Sequence, residues 1–276
     1  MNKHRAKKHL GQNFLTDRRI QQKIVDGCAL TKEDVVIEIG PGQGAITRLI
    51  APHVKKLICV EMDADLIPGL NLSFPQALSG NPEDGSPIKT FEDDNVGNVE
   101  IVHADFLKWP IPKGVKVIGN IPYYISTPIV EKLIESCHSV TQAYLTVQLE
   151  FGQRMAAEAG SDDYGALSCF AQFYADVEVM FKIKNTCFNP APKVDSCFVR
   201  MDFQRPQKYH PKDEAKMFNF IRTVFTQRRK NILNAAASLV EKEKLTVILE
   251  ELGISPNVRP ENLNLDNFVA ISNSLI

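Results

Sequence analysis

The first two thirds of the chain contain short apolar runs separated by polar or glycine-rich turns and by stretches of helical character. Short runs rich in Val and Ile are typical of buried strands. Such runs lie at Val35–Ile39, Leu57–Val60, Val99–His103, Val115–Gly119, Ala143–Leu149, Val177–Lys182 and Ser196–Phe203, the last two predicted as a hairpin. Their alternation with helices predicts an α/β domain built on a parallel sheet with helices on both faces.

The pattern changes after Phe203. A short polar segment with linker composition follows, and beyond it apolar residues recur only at the spacing of helical faces. One such face begins at Phe218, and a last helix is predicted over Leu263–Leu275. We therefore predict two domains, an α/β domain over residues 1–204 and a small all-helical domain over residues 205–276.

Composition places the protein among ordinary globular chains. Of its 276 residues, 44% are hydrophobic and 24% are charged, which excludes a wholly disordered chain. No apolar run reaches the roughly 18 residues of a membrane helix, and no secretory signal is expected. The six cysteines are scattered without a Cys-x-x-Cys pair, so neither a metal site nor a disulfide framework is predicted. We expect a cytoplasmic, monomeric protein that uses no membrane.

The net charge of −1 hides an uneven distribution. The basic N-terminal segment, residues 1–19, holds six basic residues against one acidic residue, and residues 208–230 hold seven against two. Residues 81–105 show the reverse, with seven acidic residues and one lysine. Two basic segments can frame a polyanion, although a single charge run is usually a solvated face. The acidic residues lie mostly in a predicted surface loop at 79–98, which we expect to point away from such a partner.

A glycine-rich turn follows the first strand. The sequence Glu38-Ile39-Gly40-Pro41-Gly42-Gln43-Gly44 places glycines where a backbone can approach a ligand closely. The dinucleotide-binding pattern is Gly-x-Gly-x-x-Gly, and Ala45 stands where that pattern requires its third glycine. A shorter loop without a pyrophosphate cradle suits S-adenosylmethionine better than a nicotinamide cofactor. Taken alone, these glycines are a weak signal, and the alternative is a tight turn between strand and helix.

Polar residues follow the next three strands of the predicted sheet. Glu61 ends the second strand, where an acid can accept hydrogen bonds from the two ribose hydroxyls of a cofactor. Asp105 follows the third strand, where a carboxylate can accept a hydrogen bond from an adenine amino group, and Asn120 follows the fourth. Because the carboxyl ends of parallel strands share one edge, these side chains and the glycine turn should converge on one crevice.

The sequence Asn120-Ile121-Pro122-Tyr123-Tyr124 suggests the chemistry of that crevice. The exocyclic nitrogen of adenine is a poor nucleophile because its lone pair is delocalised into the ring. An enzyme that methylates it needs two acceptors for the amino hydrogens, here the Asn120 side-chain oxygen and a backbone carbonyl of the rigid Pro122 turn, most simply that of Ile121. Tyr123 offers a ring on which an extruded base can stack, and its face would stabilise the positive charge that forms. An ordinary turn with buried rings is the alternative.

Together these segments resemble the bacterial small-subunit (16S) rRNA adenine N6,N6-dimethyltransferases. The resemblance rests on segments spread over nearly the whole chain, at Lys8–Leu15, Glu38–Gly44, Glu61–Asp63, Asn120–Tyr124, Phe188–Ser196 and Phe225–Lys230. It implies a Rossmann-like S-adenosylmethionine-dependent methyltransferase sheet and an rRNA-binding helical C-terminal domain. The implied reaction dimethylates two adjacent adenosines in the 3′-terminal hairpin of 16S rRNA, within the small (30S) ribosomal subunit or its precursor, with a role in subunit biogenesis.

The resemblance also implies roles for individual residues. Those expected at the cofactor are Gln12, Asn13, Leu15, Gly40, Gly42, Glu61, Met62, Asp105 and Asn120. The target adenine would lie between Tyr123 and Phe188. Those expected to bind RNA are Lys7, Lys8, Arg222, Arg228, Arg229 and Lys230. The last three residues are expected to open a helix, and no metal is required.

Other functions fit parts of the sequence. A 23S rRNA adenine N6-methyltransferase of the macrolide-resistance type shares the same catalytic logic, although Phe188–Ser196 and Arg228–Lys230 favour the small-subunit enzyme. A non-catalytic ribosome-assembly factor that binds RNA is a third possibility, against which the intact Glu61, Asn120 and Tyr123 argue. The missing third glycine argues against a nicotinamide oxidoreductase, and the absence of a His/Cys ligand pattern excludes a zinc base deaminase.

Overall fold

The computed structural model describes residues 6–7, 10–74, 78–80 and 97–276 of the chain, with only the backbone described for 78–80. Lys8 and most of the acidic segment at 79–98 therefore lie outside the described residues. The strands, in chain order, are β1 (Phe14–Leu15), β2 (Val35–Ile39), β3 (Lys56–Glu61), β4 (Leu78–Gly80), β5 (Val99–His103), β6 (Val115–Asn120), β7 (Val140–Gln148), β8 (Asp176–Ile183), β9 (Phe188–Asn189) and β10 (Ser196–Asp202). The helices are α1 (Arg18–Gly27), α2 (Thr47–Ile50), α3 (Ile67–Ser73), α4 (Ser126–Glu135), α5 (Leu149–Ala156), α6 (Ala166–Tyr174), α7 (Glu214–Phe225), α8 (Ile232–Ala235), α9 (Lys242–Glu251) and α10 (Leu265–Leu275).

One sheet contains eight of these strands in the order β4-β5-β3-β2-β6-β7-β10-β8. The strands from β4 to β7 in that order run parallel, and β10 runs antiparallel to β7. The central strand β2 ends level with its neighbours, since Ile39 pairs with Val60 of β3 and with Gly119 of β6. Parallel strands buried on both faces favour uninterrupted Val and Ile, and Val36 and Ile37 are fully buried. The turns after β2, β3, β5 and β6 therefore lie along one edge of the sheet.

The predicted α/β architecture is confirmed. All seven predicted strands are present, with ends that differ from the predicted ones by at most three residues. The predicted hairpin is interrupted, because β8 and β10 are neighbours in the sheet but the chain between them forms β9, which pairs with β1. Strands of two or three residues, such as β1, β4 and β9, are too short to produce an alternating pattern.

Several of the helices begin with a side-chain cap, at Asp17, Asp213, Asn231 and Asn264. The helix α4 begins at Ser126 without a side-chain cap, since Ile125 occupies the capping position. The helix α1 was not predicted, although Asp17 caps it by accepting hydrogen bonds from two backbone N–H groups of its first turn. Within the described residues, none of the helices has the length and apolar character needed to cross a membrane.

The helical unit of the protein includes residues that precede the predicted boundary. Gln153–Val177 groups with Arg205–Ile276, whereas Glu178–Gln204 groups with the chain up to Gly152. The prediction placed all residues up to 204 in the first domain, so the structure differs from it over 153–177.

Residues 153–177 belong to the helical unit because of the aromatic side chains on α6, which lies within this range. Phe170, Phe173 and Tyr174 lie on that helix, and their ring centroids lie 5.1 to 6.0 Å from that of Phe218 on α7. This aromatic cluster is part of a core that continues through the C-terminal helices. Aromatic side chains bury large apolar areas, so α6 is held to the unit that supplies the matching rings.

Candidate active site

A cavity of about 170 Å³ opens at the carboxyl edge of the parallel strands. It is lined by the turns after β2, β3, β5 and β6 and by the segment at residues 10–16. Every residue predicted at the cofactor contributes to this lining, as do three of the four further predicted catalytic residues. These lining residues are Gln12, Asn13, Leu15, Gly40, Gly42, Glu61, Met62, Asp105, Asn120, Ile121, Pro122 and Tyr123.

The glycine turn after β2 adopts the backbone conformation that glycine permits. Gly40 and Gly42 have φ values of +62° and +60°, in the left-handed region that other residues rarely enter. A methyl group on Gly42 would lie 3.0 Å from the ring of Phe14, whereas one on Gly40 would meet no atom within 4 Å. The turn is therefore built for close approach on the side of Gly40.

Glu61 is held in place by backbone donors from two turns. Its carboxylate accepts hydrogen bonds from the N–H of Gly42 at 3.1 Å and from the N–H of Asp63 at 2.8 Å. Burial raises the pKa of Glu61, although these two hydrogen bonds act in the opposite direction. The carboxylate is thus oriented at the end of β3, as an acceptor for hydroxyl groups requires.

Asn120 is oriented by the N-terminal segment. Its side-chain nitrogen donates a hydrogen bond to the backbone carbonyl of Asn13 at 2.8 Å. A carbonyl can only accept, so this contact assigns the nitrogen to that side of the amide and leaves the side-chain oxygen as the acceptor. In the turn that follows, the N–H of Ile121 donates to the carbonyl of Thr146, and the carbonyl of Pro122 accepts from the N–H of Ile125.

Tyr123 is fixed through its hydroxyl group. The hydroxyl lies 2.8 Å from Oγ of Ser196, a fully buried residue at the start of β10. Burial is the main cause that raises the pKa of Tyr123 above its ordinary value, so the phenol is neutral at physiological pH. Tyr124, by contrast, is 57% exposed.

Phe188 does not line the cavity in this structure. It lies in β9 opposite Leu15 of β1, and it is only 5% exposed within the core of the first unit. The pairing of β1 with β9 explains the burial, because it places Phe188 opposite Leu15, which belongs to the same core.

Two acidic residues at this edge were not predicted as site residues. Glu38 is 4% exposed and lines the cavity, and burial raises its pKa to about 7. Its Oε2 accepts a hydrogen bond from the thiol of Cys59 at 3.6 Å. Asp63 is 3% exposed, and its carboxylate accepts hydrogen bonds from Lys7 and Gln12. Glu38 is the first residue of the glycine-rich segment Glu38–Gly44, so its position in the sequence could have indicated it. For Asp63, only the three-dimensional contacts indicate a role.

The predicted RNA contacts differ in what surrounds them. The Lys7 ammonium is bound by Asp63 and Asp65, which argues against a phosphate contact. Arg222, Arg228, Arg229 and Lys230 are all exposed, and Arg228 also donates to the carbonyl of Asp162 at 2.6 Å. Arg228, Arg229 and Lys230 lie in the turn between α7 and α8 rather than in the first turn of a helix.

The described residues contain no group of three or more His, Cys, Asp or Glu side chains that could hold a metal ion. The cavity instead offers glycine backbone, buried carboxylates, an amide and an aromatic ring. This donor set suits an organic cofactor with a ribose and a base.

Comparison with known proteins identifies relatives along the whole chain. A family model described as "Ribosomal RNA adenine dimethylase" matches residues 3–276. "Ribosomal RNA small subunit methyltransferase A" of Clostridium acetobutylicum is 36% identical over 98% of this chain and 94% of its own length. The protein of the same name from Fusobacterium nucleatum is also 36% identical, over 96% of both chains.

Two solved structures share the fold. A dimethyladenosine transferase from Plasmodium falciparum superposes with a TM-score of 0.77, at 24% identity, over 94% of this chain and 95% of its own. The 23S rRNA methyltransferase ErmE gives a TM-score of 0.72, also at 24% identity, over 95% of this chain and 99% of its own.

Proposed function

The chain belongs to the ribosomal RNA adenine dimethylase family and is an rRNA adenine dimethyltransferase, and we propose that it uses S-adenosylmethionine to dimethylate two adjacent adenosines in 16S rRNA of the small ribosomal subunit. The proposal includes a cytoplasmic monomer whose substrate is the subunit or its precursor. The names of the relatives support the small subunit, because those of 36% identity are small-subunit methyltransferases.

The residues around the cavity fit S-adenosylmethionine. A side chain at Gly40 would fill the close approach that the turn leaves open, and Glu61 is oriented as an acceptor by Gly42 and Asp63. We assign the ribose to Glu61, the adenine amino group to Asp105 and the remainder to the glycine turn and the segment at 10–16. When bound, S-adenosylmethionine supplies an electrophilic methyl group on a sulfonium. The chain's own residues must then bring the adenine nitrogen to that methyl.

The single observation that carries the proposal is the orientation of Asn120. Its nitrogen is held by the carbonyl of Asn13, so its oxygen is available to accept a hydrogen bond from the target amino group. The Pro122 carbonyl is engaged within its turn, which favours the Ile121 carbonyl as the second acceptor. Two acceptors draw the amino hydrogens away from the ring plane and free the lone pair. Tyr123, neutral and anchored by Ser196, offers its face to the base and to the developing charge.

The test is transfer of a radiolabelled methyl group to unmethylated small subunits, with large subunits and naked rRNA in parallel. Dimethyladenosine in 16S rRNA of the small subunit is the expected product. Label confined to 23S rRNA would assign the chain to the other substrate, and cofactor binding without transfer would support a non-catalytic assembly role.

Replacing Asn120 by Ala tests the assigned chemistry. The variant lacks the side-chain oxygen that accepts a hydrogen bond from the target amino group. The rate of methyl transfer should therefore fall by about 100-fold or more while RNA binding persists. Asn257→Ala, at an exposed turn of the helical unit, is the matched control and should retain the full rate. Substantial transfer by the Asn120 variant would contradict the assignment.

A further inference from the structure

The N-terminal segment at residues 10–16, here called the N-terminal wall, forms one side of the cavity. All seven of its residues line the cavity. It is joined to the sheet unit by the pairing of β1 with β9 and by the hydrogen bond from Asn120 to Asn13. The Phe14 ring also lies against the glycine turn, where it sits 3.0 Å from the position of a Cβ on Gly42.

A cluster of charged and polar groups joins the N-terminal wall and Lys7 to the residues that follow β3. Lys7 Nζ lies 2.5 Å from Oδ1 of Asp63 and 2.6 Å from Oδ2 of Asp65. The side-chain nitrogen of Gln12 donates to Oδ2 of Asp63 at 2.7 Å, and the oxygen of Gln12 accepts from the backbone N–H of Lys7 at 2.9 Å. Both carboxylate oxygens of Asp63 are therefore bound to the N-terminal segment.

Asp63 is also joined to the residue assigned to the cofactor ribose. Its backbone N–H donates to Oε1 of Glu61 at 2.8 Å. Burial alone would raise the pKa of Asp63, but the hydrogen bonds from Lys7, Gln12 and the backbone N–H of Asp65, together with the charge of Lys7, outweigh it and hold that pKa below its ordinary value. An ionised carboxylate whose side chain is 1% exposed requires a counter-ion, and Lys7 provides it.

We propose that Asp63, with Lys7 as its counter-ion, is a positioning residue that couples the N-terminal wall to the orientation of Glu61 and so sets the affinity for the cofactor. This inference rests on the proposed function. Asp63 is not among the residues that line the cavity, so it is not assigned a contact with the cofactor or the adenine. It acts through two neighbours, since its carboxylate holds Gln12 of the wall and its N–H holds the Glu61 carboxylate. Breaking the pair should let both move, and cofactor binding should weaken while RNA binding does not.

The competing role for Lys7 is a phosphate contact. Withdrawal of Lys7 toward a phosphate would leave the buried Asp63 carboxylate without its charge partner, which is unfavourable. The two roles predict different measurements. A phosphate contact contributes to the salt dependence of RNA binding, whereas a partner of Asp63 contributes to cofactor affinity.

The experiment is a double-mutant cycle with Lys7→Met, Asp63→Asn and the double variant of the full chain. The equilibrium dissociation constant for S-adenosylmethionine is measured by calorimetry, and the salt dependence of binding to the 16S 3′-terminal hairpin RNA is measured in parallel. Each single variant should raise that constant by about tenfold, and the double variant by little more, because both changes break one pair. Lys7→Arg, which keeps the charge, should restore most of the affinity.

Lys113→Met serves as the control, because Lys113 is an exposed lysine of the same unit. Melting temperatures show whether each variant is folded, and Lys7→Met, at a side chain that is 29% exposed, tests the proposal even where Asp63→Asn is unstable. Unchanged cofactor affinity, effects that multiply in the double variant, or a salt slope that falls in Lys7→Met would each overturn the proposal. Failure of the unaltered chain to bind S-adenosylmethionine would instead refute the proposed cofactor.

Discussion

Glu38 shows how a single buried residue can make stability depend on pH. Burial raises the pKa of its carboxyl from 4.5 to about 7, with the nearby Glu61 acting in the same direction. A carboxyl whose folded pKa is raised binds its proton more tightly in the folded state. Its contribution to stability is therefore complete below pH 4.5 and is lost as pH rises to about 7.

We predict that Glu38→Gln removes this pH dependence. Between the two pKa values, the free energy of unfolding of the unaltered protein should fall by up to about 1.4 kcal/mol per pH unit relative to the variant. Urea unfolding at half-unit steps from pH 5 to pH 8 measures that difference directly. Gln cannot ionise, so titrating groups that do not interact with Glu38 cancel between the two curves, whereas the nearby Glu61 contributes through its coupling to Glu38. Parallel curves across this range would show that Glu38 has an ordinary pKa.

Which residues line the cavity could be predicted only where position relative to the strands defines it. Glu61 and Asn120 end strands of the parallel sheet and Asp105 follows another, and the topology brings such positions to one edge. Asp63 could not be recognised in this way, because its partners Lys7 and Gln12 lie 56 and 51 residues away. Only folding brings these residues together, and nothing local in the sequence marks that contact.

At the scale of elements, the glycine turn after β2 is the part most sensitive to small changes. We predict that Gly42→Ala lowers the free energy of unfolding by about 2 kcal/mol or more. The change adds a side chain in the left-handed region, which costs about 1–2 kcal/mol, and it also presses on the ring of Phe14. It should weaken S-adenosylmethionine binding as well, because the N–H of Gly42 holds Glu61.

Two other glycines separate these causes. Gly114 has a φ of +74° but open space around it, so Gly114→Ala should show only the backbone cost. Gly69 lies in α3 with no atom within 4 Å, and alanine there should be neutral or slightly stabilising. Chemical unfolding of the three variants gives the comparison. If Gly42→Ala were no more costly than Gly114→Ala, the contact with Phe14 would have no energetic role.

Elements could be predicted where their pattern is long enough to repeat. The strands from β2 to β7 that form the parallel core carry runs of Val and Ile, and the sequence predicts them all except the three-residue β4. The pair β1 and β9 contains two residues per strand and no period, although it places the N-terminal wall and buries Phe188. The same pairing explains why a residue expected at the adenine lies in the core.

At the scale of the whole chain, the helical unit could be predicted only in part. Its periodic helices after residue 205 are evident in the sequence, whereas residues 153–177 belong to it through the aromatic cluster of α6 and α7. An interruption of one unit by another leaves no mark in local composition. Charged segments, by contrast, can be recognised in the sequence. Whether a cationic side chain already has partners within the protein depends on the fold, as the contacts of Lys7 and Arg228 show.

The last prediction concerns cationic side chains of the helical unit. Arg228, Arg229 and Lys230 are all exposed in the turn before α8, but Arg228 also donates to the carbonyl of Asp162, and its Nε lies 3.8 Å from Oε2 of Glu261. If Arg229 and Lys230 both contact phosphate, replacing them with Ala should reduce the slope of log binding constant against log salt by about 1.4 to 1.8. Arg228→Ala should change the slope less and the melting temperature more, because its contacts are internal to the helical unit. Titration of 16S 3′-terminal hairpin RNA at several salt concentrations measures each slope, and an unchanged slope in the double variant would remove this turn from the RNA-binding surface.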